Sequence, residues 1–216
     1  MGQHSSSVTD PRIERRVAGV VLAGGRSVRF AGEKAAALLA GTPLVMWSAR
    51  RLERSCVAVA VNARPETAAE SLARAAGLAV LHDAPGDAAG PLAGVKAGLA
   101  WAQRLGARAL AVSPCDAPLL PEDLFPRLIA AAGEGAAMAV TEDGRQPLCA
   151  VWPVGALPAV AAALAWGAHP PTWRVLESLR AQRVHFESAA AFASLNTRED
   201  LAAVAARFAN LGGPRT

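Results

Sequence analysis

The chain has 216 residues and a mass of 22.1 kDa, enough for one substantial hydrophobic core but too few for two domains of ordinary size. Hydrophobic residues make up 52% of the chain, which excludes a disordered protein. The chain has no tyrosine, which argues against a protein that stacks nucleobases on aromatic rings. The net charge of +4 is spread along the chain without a run of lysine or arginine, so it fits a small anionic substrate and not nucleic acid.

The first elements predicted along the chain alternate between strand and helix. Four short apolar runs predict buried strands at Val17–Leu22, Val57–Val61, Leu78–Leu81 and Ala109–Val112. Helices are expected between and after them, at Leu44–Arg54, Glu66–Ala76, Pro91–Leu105 and Glu122–Ala132. This alternation is typical of βαβ units, so we expect a mostly parallel sheet with helices on both faces.

The regular alternation of strand and helix ends after Ala136. Strands are predicted at Ala136–Val140 and Leu148–Trp152 around a polar turn at Glu142–Gln146, followed by helices at Ala156–Trp166 and Thr172–Arg180, a strand at Val184–Phe186 and a helix at Arg198–Phe208. No repeat or linker interrupts the chain. The sequence therefore predicts a single Rossmann-like, doubly wound α/β domain over 17–216, with a nucleotide-binding half at about 17–120 and a second half at about 121–210.

The ends of the chain and its cysteines bear on where the protein works. Residues 1–16 are polar and lack the apolar stretch of a secretory signal, so we expect a flexible tail there. The most apolar helical stretch, Leu157–Trp166, is half of the roughly 20 residues that a membrane span needs. Cys56, Cys115 and Cys149 are scattered, which indicates reduced thiols and a cytoplasmic protein that is not bound to a membrane.

The loop after the first strand is the most informative segment. It reads Leu22-Ala23-Gly24-Gly25-Arg26-Ser27-Val28-Arg29-Phe30-Ala31-Gly32-Glu33-Lys34. Its glycines let backbone N–H groups turn toward an anion, and its cations suit a triphosphate. It is neither a Walker A loop, because Glu33 separates Gly32 from Lys34, nor a dinucleotide fingerprint, because the G-x-G-x-x-G spacing is missing. Taken alone, the glycine pair also fits an ordinary strand-to-helix turn.

This string resembles the signature of the molybdenum cofactor guanylyltransferases, a branch of the nucleotidyltransferase superfamily. The resemblance continues through Val61-Asn62-Ala63, His82-Asp83, Gly90-Pro91-Leu92-Ala93-Gly94, Pro114-Cys115-Asp116-Ala117-Pro118 and Asn196-Thr197-Arg198-Glu199-Asp200-Leu201. It implies transfer of GMP from GTP to molybdopterin with release of pyrophosphate, and it makes the second half of the domain the pterin side. Glu33 departs from the aspartate that is usual there in the family.

The resemblance also implies a role for individual residues. Main-chain groups of Leu22, Ala23 and Gly24 would line the base and ribose, and Gly25 is a further nucleotide-binding residue. Lys34 and Arg29 would neutralise the phosphates. Asn62 would lie beside the guanine, and Asp83 could accept two N–H bonds from guanine that cytosine cannot supply. For both polar residues the alternative is a turn or a cap.

Catalysis would depend on position and charge. Asp116 is expected to bind Mg²⁺, which needs only one or two carboxylates beside the substrate phosphates. The attacking molybdopterin phosphate is already ionised at neutral pH, so no general base is required. We expect a monomer whose substrates are GTP and molybdopterin and whose further partner is a molybdoenzyme or a chaperone for cofactor delivery.

Some interpretations remain open. Asn196 fits either a residue of the pocket or a helix N-cap, and Gly90–Gly94 fits either an anion site or close helix packing. Arg145, Gln146 and Arg174 could border the second substrate. The alternative functions are a cytidylyltransferase or another small-molecule nucleotidyltransferase, a nicotinamide-linked oxidoreductase, and a non-catalytic GTP-binding protein that delivers the cofactor.

Overall fold

A computed structural model describes residues 16–25, 30, 33–87, 90–165 and 169–210, without the side chains of residues 207–210. Arg29 lies outside the described residues, as does the predicted tail apart from Arg16.

Seven strands form one sheet in the order β5-β4-β1-β6-β8-β7-β9. They are β1 Val17–Leu22, β4 Ala58–Asn62, β5 Ala79–Leu81, β6 Ala109–Pro114, β7 Ala137–Thr141, β8 Gly144–Pro153 and β9 Gln182–His185. All neighbouring strands pair in parallel except β8, which runs antiparallel to both β6 and β7. The mostly parallel sheet of a single α/β domain is confirmed. A separate hairpin of β2 (Leu38–Leu39) and β3 (Thr42–Pro43) was not predicted.

Helices cover both faces of the sheet. They are α1 Leu44–Glu53, α2 Ala68–Ala75, α3 Pro91–Arg104, α4 Leu124–Ala132, α5 Leu157–Ala163, α6 Thr172–Ser178 and α7 Arg198–Asn210. The central strand β1 explains the two layers: Val17 and Val21 face a core shared with α1, α2 and α4, while Ala18 and Val20 face a core shared with α3, α5 and α6. A strand buried on both faces needs an unbroken apolar run, which is why the sequence signal for β1 is so clear.

The predicted bounds differ from the structure mainly at element ends. Helix α2 begins two residues later than predicted, because Glu66 has a positive φ of 61° and Thr67 caps the helix instead. Strand β8 begins at Gly144, so the turn before it is shorter than the predicted Glu142–Gln146. Both shifts fall where local backbone geometry, and not hydrophobic periodicity, determines the boundary.

Parallel pairing brings the carboxyl ends of four strands to one edge. Leu22 at the end of β1 pairs with Asn62 of β4 on one side and with Pro114 of β6 on the other, and Asn62 pairs in turn with Leu81 of β5. The loops that leave these strands are therefore neighbours in space, as expected of ligand sites in open α/β sheets. In the described part of the chain, no helix is long and apolar enough to cross a membrane.

Candidate active site

A cleft of about 460 Å³ opens at the carboxyl edge of the sheet. Every predicted site residue within the described ranges lines it: Leu22, Ala23, Gly24, Gly25, Lys34, Asn62, Asp83 and Asp116. The cleft also contacts Pro91 at the start of α3 and Leu148 of β8. Residues from four chain segments, chosen from sequence alone, thus meet around one space.

One end of the cleft is built around the ammonium group of Lys34. Its Nζ donates to Asp116 Oδ2 at 3.0 Å and to Asn196 Oδ1 at 2.9 Å. The side chain of Lys34 is 13% exposed and that of Asp116 is 20% exposed. A charged pair at this depth is screened less by solvent than a surface pair, so it gives the cleft a defined cation and anion at fixed positions.

A second segment, residues 194–196, closes this end of the site. Ser194 Oγ donates to Asp116 Oδ1 at 3.3 Å, and the backbone N–H of Leu195 donates to the carbonyl of Asp116 at 2.8 Å. Leu195 is buried in a small apolar cluster with Leu39 of the hairpin and Val204 of α7. The unpredicted hairpin therefore helps to hold the segment that carries Asn196 into the site.

The two interpretations of the Asn196 region belong to different residues. Asn196 itself contacts Lys34, while Thr197 and Asp200 form the cap of α7. Asp200 accepts from the backbone N–H groups of Asn196 and Thr197 at 2.8 and 2.9 Å. These two backbone hydrogen bonds hold the pKa of the Asp200 carboxyl below its ordinary value.

The other end of the cleft holds a linked pair of polar side chains. Asn62 is 4% exposed, and its Nδ2 donates to Asp83 Oδ1 at 2.9 Å and to the Leu81 carbonyl at 3.4 Å. Asp83 is exposed toward the cleft. With its amide N–H groups occupied, Asn62 is placed to orient the Asp83 carboxylate, and Asp83 is the group that a ligand can reach.

The glycines at the start of α3 have two distinct uses. A Cβ at Gly94 would overlap Asn62 Oδ1 and lie 2.7 Å from Leu22 Cδ2, so this glycine permits close packing of α3 on the strand ends. Gly90 has a φ of 153°, lines the cleft and lies under the ring of His169, which leaves no space for a side chain. Close packing thus accounts for Gly94, and Gly90 borders the cleft.

The sequence analysis assigned no role to two charged residues that line the cleft, Arg64 and Glu33. Arg64 follows Asn62 by two residues, a spacing that could have drawn attention to it. Glu33 accepts hydrogen bonds from the backbone N–H groups of Ala68 and Ala69. No local pattern pairs these positions, because 35 residues separate Glu33 from Ala68.

Cys115 lines the cleft but is not suited to nucleophilic chemistry. Burial raises the pKa of its thiol to about 12, and the neighbouring Asp116 carboxylate adds to the effect. A thiol in this state is a packing group at neutral pH, since the thiolate is the reactive form.

Asp116 is the carboxylate of the cleft that lies beside Lys34. Among the residues that the structure describes, no group of three or more His, Cys, Asp and Glu side chains could hold a metal ion alone. One carboxylate is sufficient for an ion whose remaining ligands are phosphates and water, and Mg²⁺ is commonly bound in this way.

The candidates for the second substrate lie away from the lining of the cleft. Arg145 pairs with Glu177 at 2.8 Å, and its guanidinium lies 4.7 Å from the ring centre of Trp173. Arg174 lies near the same ring, at 5.4 Å. Gln146 donates to Thr141 Oγ1 at 3.2 Å. The structure does not bring these side chains together with Lys34 and Asp116.

Comparison with known proteins gives a consistent result. Residues 19–184 match the model of the MobA-like NTP transferase domain. A molybdenum cofactor guanylyltransferase from Cereibacter sphaeroides is 42% identical over 189 residues, covering 87% of this chain and 94% of that protein. Another with the same name, from Cupriavidus taiwanensis, is 40% identical and covers 88% of this chain and 97% of that protein.

Solved structures share the fold. The molybdopterin-guanine dinucleotide biosynthesis protein A of Archaeoglobus fulgidus superposes with a TM-score of 0.69, covering 89% of this chain and 99% of that one. At 21% sequence identity, the superposition supports a common architecture.

Proposed function

The chain belongs to the MobA-like NTP transferase family, among the molybdenum cofactor guanylyltransferases, and from this premise we propose that it transfers GMP from GTP to the phosphate of molybdopterin. The products are the guanine dinucleotide form of the cofactor and pyrophosphate.

The observation that carries the proposal is the division of the cleft into two chemically different ends. Lys34 and Asp116 lie at one end, where a triphosphate needs fixed positive charge and a metal-binding carboxylate. Asp83, oriented by Asn62, lies at the other, where it can accept hydrogen bonds from N1 and N2 of guanine. Between them, Gly24 and Gly25 line the cleft and can offer main-chain groups to the ribose and phosphates.

The reaction is an in-line displacement at phosphorus. An oxygen of the molybdopterin phosphate bonds to the α-phosphorus of GTP, and the bond from that phosphorus to the bridging oxygen of the β-phosphate breaks. The electron pair of the broken bond leaves with pyrophosphate. Lys34 and the backbone N–H groups of Gly24 and Gly25 neutralise the charge on the phosphates, so catalysis rests on positioning and electrostatics.

Asp116 would hold the Mg²⁺ ion that takes part in nucleotidyl transfer. Its carboxylate is partly exposed at the phosphate end, and its backbone is fixed by Leu195. When bound there with the triphosphate, the ion would neutralise phosphate charge and favour departure of pyrophosphate.

The compartment, oligomeric state and partner of the protein are part of the same proposal. Unpaired cysteine thiols support a reducing compartment such as the cytoplasm. We propose a monomer that passes the finished dinucleotide to a molybdoenzyme or to a chaperone for that enzyme.

Titration calorimetry with GTP, CTP and ATP, each with and without Mg²⁺, tests the proposal. We expect GTP to bind and Mg²⁺ to strengthen its binding, because one carboxylate and the phosphates share the ion. A preference for CTP would assign the chain to cytidylyl transfer instead. Failure of all three nucleotides to bind, alone and with molybdopterin present, would contradict nucleotidyl transfer.

A further inference from the structure

Glu33, the residue directly before Lys34, ties the end of the glycine loop to helix α2. Its Oε2 accepts from the N–H of Ala68 and its Oε1 from the N–H of Ala69, both at 2.6 Å. These are the first two residues of α2, whose N–H groups have no partner within the helix. A carboxylate at this end of a helix makes charge-assisted hydrogen bonds at the positive pole of the helix dipole.

The main chain of Glu33 is fixed as well. Its carbonyl accepts from the N–H of Ala36 at 3.1 Å, which opens the 3₁₀ turn Lys34–Ala36. The residue is thus anchored to α2 through its side chain and to the following turn through its backbone. These contacts fix the backbone position from which the Lys34 side chain extends.

A simple helix cap would not need a residue so far away in sequence. Thr67 already caps α2 locally by accepting from the N–H of Glu70 at 3.4 Å. Glu33 instead joins the loop after β1 to the segment after β4, and both border the cleft. Its carboxylate therefore links these two segments directly.

We propose that Glu33 is a positioning residue for Lys34, and this inference rests on the proposed function, in which Lys34 binds the triphosphate. Lysine has a long side chain with many rotamers, so a fixed starting point for its backbone restricts where its ammonium lies. Through its two bonds to α2, Glu33 keeps that ammonium between Asp116 and Asn196. The identity of residue 33 thereby sets the binding strength of the lysine one position later.

The chain allows a direct test, because its only lysines are Lys34 and Lys96. Protein labelled with ¹⁵N and ¹³C in lysine gives two side-chain ammonium signals, assigned with Lys34→Arg. The substitution Glu33→Gln keeps the shape but removes the charge and places an NH₂ group opposite a backbone N–H. We expect the Lys34 signal to shift or broaden and the Lys96 signal, from a lysine paired with Asp87, to stay in place.

A matched control is Glu122→Gln, which changes a side chain that is 80% exposed and pairs with Arg54. It should move neither lysine signal. Glu33→Asp keeps the charge but is one methylene shorter, so it should disturb Lys34 less than Glu33→Gln does.

A binding arm asks whether Glu33 acts through the lysine. We expect Glu33→Gln to lower GTP affinity, measured by calorimetry, roughly tenfold, the lower end of the loss seen when a group that orients a metal-ligating side chain is removed. In a Lys34→Ala background the same substitution should change GTP affinity, measured by calorimetry, by less than about twofold, since residues that act as a unit are not additive.

The outcomes separate the inference from the function on which it rests. If Glu33→Gln frees the Ala68 and Ala69 amides to exchange while the Lys34 signal stays in place, Glu33 is a cap only and the inference is wrong. Equal losses in the wild-type and Lys34→Ala backgrounds would overturn it too. If the Lys34 signal moves but the wild-type protein binds no nucleotide, the positioning role stands and the proposed function fails.

Discussion

The largest effect of any single side chain is expected from Lys34, because it carries a nearly buried positive charge at the end of the cleft where we propose that the triphosphate binds. We predict that Lys34→Ala lowers the rate of guanylyl transfer by about 10²- to 10³-fold, the usual loss when one electrostatic contact to the transition state is removed. Steady-state release of pyrophosphate measures it. Lys96→Ala is the control, and near-normal turnover of Lys34→Ala would exclude the role assigned to it.

In the proposed function, Asp83 is the residue that selects guanine. We predict that Asp83→Asn weakens GTP binding by about 10- to 100-fold, because one acceptor is replaced by a donor that faces the N–H groups of guanine. Competition calorimetry between GTP and CTP measures the effect, and Asp87→Asn is the control from the same loop. Unchanged preference in Asp83→Asn would show that guanine is recognised elsewhere.

At the scale of elements, α3 is held close to the strand ends by one glycine. Gly→Ala within a helix ordinarily stabilises it by about 1 kcal/mol. At Gly94 we predict the opposite, a loss of about 1–3 kcal/mol in the free energy of unfolding, since the added Cβ would displace Asn62 and Leu22. Urea denaturation of Gly94→Ala measures it. Gly155→Ala, where a Cβ would contact nothing, provides the comparison, and equal stability of the two variants would contradict the prediction.

The cap of α7 should depend on pH. The Asp200 carboxyl has a pKa below its ordinary value of 3.8, so its contribution to stability is complete above that value and is lost as the pH falls through the lowered pKa. We predict that the stability difference between the wild type and Asp200→Asn shrinks over this acidic range. Urea denaturation at a series of pH values measures the difference, and a constant difference would show that the carboxylate is not held by the cap.

Elements with strong periodicity could be predicted from the sequence, and those fixed by tertiary contact could not. The buried run of β1 and the helix α3 fall where they were expected. The hairpin β2–β3 has two-residue strands, too short for any periodic signal, and depends on packing against α1 and α7. The antiparallel direction of β8 depends on its neighbours in the sheet.

The same distinction holds for the candidate site. Residues at strand ends, such as Asn62 and Asp116, could be found because parallel strands bring their ends together. Ser194 and Glu33 could not, because each acts on a partner far along the chain: Ser194 contacts Asp116 across 78 residues. Even Asn196 could be placed at the site only through the family resemblance, since its neighbours also fit a helix cap.

At the scale of the whole molecule, ligand binding should stabilise the fold. The cleft is lined by residues from both halves of the sheet, and the segment before α7 contacts it through Asn196. A ligand at 100 times its Kd stabilises the folded state by about 2.7 kcal/mol. For a chain of this length we predict that saturating GTP with Mg²⁺ raises Tm by roughly 5–10 °C. Differential scanning fluorimetry measures the shift. ATP at the same concentration should give a smaller one, and equal shifts would contradict guanine recognition.

The contact between Lys34 and Asn196 spans 162 residues, and its contact with Asp116 spans 82. Closing long loops is slow, so contacts of this kind form late in folding. A refolding chain would regain its helices and nearby strand pairs before these three side chains meet. Nucleotide binding would then be the last property to return, and the time at which it recovers would mark the end of folding.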